Sequence, residues 1–199
     1  MKPSRALALG GVVGPAAFIT AWSALGWRKA GYTPIEDHIS RLAAQGVAER
    51  PAMTAGFVAF GVGVPLYALA LRRSPTGHAW IAAATTGVAT LGVAAFPLDG
   101  PAGDGAHAIA AGVGYATLAA IPLLAARPLA RAGLTMWSRF SWAAGGAAAL
   151  CLAATTAGPA TGLAQRAGLT IGDVWLIGSA LALFTGRLGR PLPRPGESG

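Results

Sequence analysis

Six apolar runs of membrane-spanning length decide what this chain can fold into. They cover residues 6–27, 52–71, 79–97, 106–126, 140–160 and 170–188. Each is close to the roughly 20 residues that a helix needs to cross a bilayer. In hydrocarbon every backbone polar group must be paired internally, and a helix does this within one segment. The sequence therefore predicts an all-α fold. It is a polytopic membrane bundle of six transmembrane helices in one domain, 1–189, ahead of a Pro-rich tail, 190–199, expected to be disordered. The charged share agrees: 11% of residues, against about 25% in soluble domains. A signal peptide is set aside for the first run, because five similar runs follow it.

Many of the apolar residues are alanine and glycine. Gly10 and Gly14, then Ala55, Ala59 and Gly63, then Ala108, Gly112 and Ala116, recur at the four-residue spacing that lets helices approach closely. Such faces serve packing within the chain or a homo-oligomer. Cys151 is the lone cysteine, so no intrachain disulfide forms. The net charge of +8 does not point to nucleic acid, because basic cytoplasmic loops produce the same excess in membrane proteins.

The charges also predict orientation. Counted by loop, ten of the fifteen Lys and Arg residues fall on the side shared by both ends and the even-numbered loops. Six of the seven acids fall on the opposite side. Bases mark the cytoplasmic side. Both termini are expected in the cytoplasm of a bacterial inner membrane, with the first, third and fifth loops facing outward. His78 then sits on the cytoplasmic side as a plain turn residue.

The first outward loop is the longest polar interruption. Thr33, Pro34 and Glu36 match a capping box with proline at the first helical position, and Gly46 suits a helix stop. A short helix over 34–45 is predicted, with Ile35, Ile39, Leu42 and Ala43 on one face. It is too short to span and is expected to lie in the interface.

Polar side chains gather on this outward side. Asp37, His38, Ser40 and Arg41 come from the first loop, and Asp99, Asp104 and His107 from the third loop and the next span. Arg166 and Asp173 come from the fifth loop and the last span. Ionisable groups at a membrane-facing cavity are costly, so they point to function. Each also has a structural explanation. Asp37 and Arg41 have the spacing of a helix ion pair. Ser40 suits a backbone bond, Asp104 a cap of the fourth span, and Asp173 a first-turn acid. His38 fits an interfacial histidine and Trp175 an aromatic belt.

Asp99 and His107 resist such explanations best, since an Asp–His pair can orient a base or bind metal. The candidate catalytic set is Asp99, His107, Asp37 and Ser40, and His38, Arg41 and Arg166 are candidate ligand-binding residues. No metal site is assigned, because the spacing of His38, Asp99 and His107 matches no zinc signature. No cofactor is indicated.

The pattern of Tyr32, Pro34, Asp37, Ile39, Ser40, Leu42, Ala43 and Ala44 resembles the outer-loop motif of bacterial membrane proteins classed as domain of unknown function 998. Phe96 and Pro97, followed by His107 among small residues, resemble the family's second motif. The run from Gly162 through Leu163, Ala164 and Gln165 to Arg166, before a tryptophan-bearing last helix, resembles its third. The resemblance covers nearly the whole chain without the tail. It implies a six-span membrane protein, with Asp37, Ser40, His107 and Arg166 as motif residues, and it implies no particular reaction.

Two functions follow as expectations. One is binding of a membrane lipid or other apolar small molecule at an outer vestibule. The other is an intramembrane enzyme acting on a lipid or isoprenoid through Asp99 and His107. A transporter fits less well, because the spans carry no ionisable group at mid-depth by this reading.

Overall fold

A computed structural model describes residues 3–188; the predicted tail, 190–199, lies outside the described residues. A short helix α1 (Pro3–Ala8) leads into six longer ones: α2 (Gly10–Arg28), α3 (Arg50–Leu71), α4 (Ala79–Ala95), α5 (Gly103–Arg131), α6 (Thr135–Ala153) and α7 (Thr161–Phe184). No strand occurs among the described residues. Each long helix packs on the next, and α7 returns to pack on α2, closing the bundle. Four stretches, Arg5–Arg28, Arg50–Leu71, Gly103–Arg131 and Thr161–Phe184, are long and apolar enough to cross a membrane. Helix α4 is apolar but has 17 residues. The chain is a helical bundle whose apolar helices point to a membrane-embedded protein.

Packing explains two of the small-residue stripes differently. At the α2–α3 crossing the glycines face one another. A Cβ on Gly63 would lie 2.7 Å from the Gly10 carbonyl oxygen, and one on Gly14 would lie 3.1 Å from that of Ala59. Only glycine lets two backbones come this close. The third stripe does not make a helix contact. Ala108, Gly112 and Ala116 line an open cleft, and a Cβ on Gly112 would meet nothing within 4 Å. Here small side chains make room instead of a contact.

Helix ends differ from those read in the sequence at three places. The basic loop expected over 127–139 shrinks to three residues, because α5 runs through to Arg131 and α6 starts at Thr135. Helix α6 then ends at Ala153, seven residues before the predicted span end, in a 3-10 turn, Ala154–Thr156. Helix α7 starts at Thr161, so the predicted loop 161–169 is helical and carries Arg166 inside the bundle. Arginine is a good helix former, and a charge alone does not end a helix. Trp175 is not a belt residue either. It is fully buried, and its Nε1 donates to Ser141 Oγ at 2.9 Å.

Candidate functional site

The first loop does not form the predicted helix over 34–45. Residues 33–37 make one tight turn, His38 is extended (φ −69°, ψ 148°), and a 3-10 turn follows over Ile39–Ala43. Ile39, Ser40, Leu42 and Ala43 are buried, while Ile35 is exposed. The loop therefore folds into the mouth of the bundle instead of lying on an interface. The backbone groups that a helix would have paired internally are taken by α7. Leu163 N–H, at the start of α7, donates to the Ile35 carbonyl at 2.9 Å, and Ile39 N–H donates to Gln165 Oε1 at 2.7 Å. Tertiary partners outweigh a local helix signal worth only tenths of a kcal/mol per residue, about 0.7 at most.

Arg166 anchors this loop. Its Nη1 donates to the carbonyls of Pro34 (2.8 Å), Asp37 (2.8 Å) and Gly162 (2.9 Å), and its Nη2 donates to the Tyr32 hydroxyl. The guanidinium also lies 5.5 Å from the Trp22 ring centroid and 5.4 Å from that of Tyr32. Arg166 therefore holds the loop's backbone. Burial pushes the Tyr32 hydroxyl above its usual pKa, and the Arg166 charge opposes that shift. Gly162 lets the loop sit against α7, because a Cβ there would lie 2.8 Å from the Pro34 carbonyl oxygen.

Two acids with proposed catalytic roles are placed elsewhere. Asp37 accepts the Thr33 backbone N–H at 2.7 Å, and the Asp37–Arg41 pair expected for a helix does not form. Arg41 instead meets Asp99 at 3.3 Å, with both side chains more than half exposed. Asp99 has left-handed backbone (φ 56°), which aspartate tolerates better than most residues, and its N–H donates to Asp104 Oδ1 at 2.9 Å. Asp104 thus ties the third loop rather than capping its own helix. The Asp99–His107 pair is absent. Among the described residues no three metal-ligating side chains come together, so His38, Asp99 and His107 do not converge.

His107 has a different partner. Its Nδ1 lies 2.7 Å from the Phe96 carbonyl oxygen and its Nε2 2.9 Å from Ser40 Oγ. A carbonyl only accepts, so Nδ1 carries the proton. In the neutral ring Nε2 is then an acceptor, and the Ser40 hydroxyl donates to it. Both side chains are buried, yet both line a cleft of about 670 Å³ between α5 and α6. His38, Asp104, Tyr115, Thr155 and Thr156 supply its other polar groups, and alanine, glycine and leucine supply the walls. His38 also lines the cleft, but its Nε2 is buried away from it without a partner. Burial lowers the His38 pKa below the usual value, and the charges of Arg166 and Arg41 push the same way.

A sequence profile of the family described as "Protein of unknown function (DUF998)" matches residues 12–182. The chain belongs to the DUF998 family. No curated protein and no solved structure matches it.

Sequence reasoning on this DUF998 chain missed two residues that matter. In the sequence Gln165 stands out only as part of a motif. Its Oε1 accepts from Ile39 N–H and its Nε2 donates to the Tyr115 hydroxyl, so one amide joins the first loop, α5 and α7. By sequence Asp173 suits a first-turn acid. With α7 starting at Thr161, it falls midway along the helix, is fully buried, and neither carboxyl oxygen has a partner. It shares a helix face with Arg166, which lies over Trp22, and with Ala180, which packs beside Gly11; it therefore faces α2. The premise that no ionisable group lies at mid-depth does not hold.

Proposed function

We propose that this chain is a six-span bacterial inner-membrane protein that binds an amphiphile, a lipid or another apolar small molecule with a polar head. The cleft between α5 and α6 carries this reading. It pairs walls of Ala108, Ala116, Ala120, Leu123, Ala149 and Leu152 with a polar mouth of His38, Ser40, Asp104, His107 and Thr155. Pockets for organic ligands have this mixture of apolar walls and a few convergent polar groups. Helices α4 and α6, at 17 and 19 residues, extend about 26–29 Å and nearly match a hydrocarbon core of about 30 Å. With six spans, the base-rich ends lie in the cytoplasm and the cleft mouth faces outward.

Native mass spectrometry from gentle detergent tests the binding, with bound lipid and bound metal measured together. The wild type is expected to carry a lipid-sized adduct, and Gly112→Leu, whose Cβ enters open space in the cleft, is expected to lose it. A wild type without an adduct after lipid addition, or a Gly112→Leu variant that keeps it, rejects the reading. Orientation is tested separately. A cysteine at the exposed position 35, in a Cys151→Ala background, should react with an impermeant maleimide from outside intact spheroplasts.

A further inference from the structure

The pairing of Ser40 with His107 deepens the binding reading and rests on it. We propose that Ser40 is a nucleophile, His107 its general base, and the cleft ligand an amphiphile carrying a carboxylic ester. The Phe96 carbonyl stands where hydrolases usually place an acid: it holds Nδ1–H at 2.7 Å and leaves the Nε2 lone pair facing Ser40 Oγ at 2.9 Å. This is the nucleophile–base–orienter arrangement of acyl-transfer chemistry.

A hydrogen bond that merely ties the first loop to α5 explains the contact between the two residues. It does not explain the wall around them. Gln165 Oε1 accepts from Ile39 N–H, so Gln165 Nε2 is the donor to Tyr115. The Tyr115 hydroxyl proton is then left to donate, and Tyr115 lines the same cleft. A free hydroxyl donor lining the same cleft as a serine–histidine pair suits an ester's carbonyl oxygen.

In this reaction Ser40 Oγ attacks the ester carbonyl carbon as its proton passes to His107 Nε2. The carbonyl oxygen becomes an oxyanion, with the Tyr115 hydroxyl as its donor. Collapse breaks the bond to the alcohol oxygen, and His107 returns the proton to that oxygen. Water then attacks the acyl-serine and gives a proton to Nε2. The acyl–Oγ bond breaks, and Ser40 regains its hydrogen. The sum is ester plus water giving carboxylic acid plus alcohol, with no change of oxidation state.

The test uses the purified full chain in detergent and a long-chain alkyl fluorophosphonate, which forms an Oγ–P bond and releases fluoride. One adduct is expected, located at Ser40 by peptide mass spectrometry and absent in Ser40→Ala. His107→Gln should slow labelling by about 100-fold or more, and Tyr115→Phe by about tenfold or more. His78→Gln, at the opposite end of the bundle, should leave the rate unchanged. If His107→Gln unfolds, the better-conserved shape of Tyr115→Phe carries the test at unchanged melting temperature. A folded wild type that carries lipid but never labels at Ser40, or labels at a rate indifferent to the His107 and Tyr115 variants, overturns the inference and leaves binding intact. Labelling at Ser40 that Gly112→Leu does not slow supports the pair and instead overturns the cleft as the binding site.

Discussion

Arg166 and Asp173 lie seven residues apart on one face of α7, both buried, and the protein treats them in opposite ways. Arg166 donates to three carbonyls and a tyrosine hydroxyl and lies over two aromatic rings. Asp173 has no partner for either oxygen. The contrast teaches that burial does not reveal a polar residue's role; what satisfies the group does. An arginine whose donors meet loop carbonyls and a loop hydroxyl is a fastener. An acid that meets nothing is a stability deficit, which persists where another demand retains it.

The contrast can be broken most directly at Arg166. Arg166→Ala takes the charged donor from the part-buried Pro34 and Asp37 carbonyls, and charged hydrogen bonds of this kind are worth about 1.5–3 kcal/mol each. A loss of about 3–5 kcal/mol is expected in detergent melts. Arg166→Lys should recover only part of it, since one ammonium cannot reproduce the planar fork. Full recovery by lysine would show that charge alone, without geometry, holds the loop. Gly162→Ala attacks the same junction through space and should destabilise by about 1–3 kcal/mol, because the new methyl group meets loop backbone. An unchanged melting temperature there would mean that the loop does not rest against α7.

On the other side, Asp173→Leu should stabilise the bundle by about 1–3 kcal/mol, since it removes an unpaired buried polar group. A fall in stability would show that Asp173 has a partner in the membrane and would close the gap between the two residues. The smallest effect belongs to the exposed Arg41–Asp99 pair: Asp99→Asn should change stability by less than about 1 kcal/mol. A larger loss would make the third loop as firm an anchor as Arg166.

Burial of His38 adds a pH dependence of known sign. A histidine whose folded pKa is lowered binds its proton more readily when unfolded. The folded state therefore loses stability as pH falls below the ordinary histidine pKa of about 6.5, until the folded group also protonates. Melting temperatures measured between pH 7 and 5 should fall less steeply for His38→Gln than for the wild type. Identical slopes would show that His38 is solvated.

Much of this was legible in the residues. The apolar runs gave the helices, since a long hydrophobic segment in lipid has few alternatives. The glycine and alanine spacing gave the α2–α3 contact, and the grouping of polar residues on odd-numbered loops gave one shared end. Ser40, His107 and Arg166 are motif residues by the family resemblance, and the structure brings all three to that end. Their pairings were not legible. Asp99 was the natural partner for His107 by charge, but its left-handed backbone turns it toward Arg41 and exposes it. Gln165 carries no charge and so gave no signal.

The sequence by itself determined that the chain is helical, apolar and polar at one end, because periodicity and hydropathy act locally along a segment. Tertiary structure alone decided that the first loop plugs the bundle, that Ser40 meets His107, and that Asp173 stands in the interior. Those outcomes depend on which groups find partners far along the chain, 67 residues apart for Ser40 and His107 and 129 for Asp37 and Arg166, and no local propensity encodes that choice.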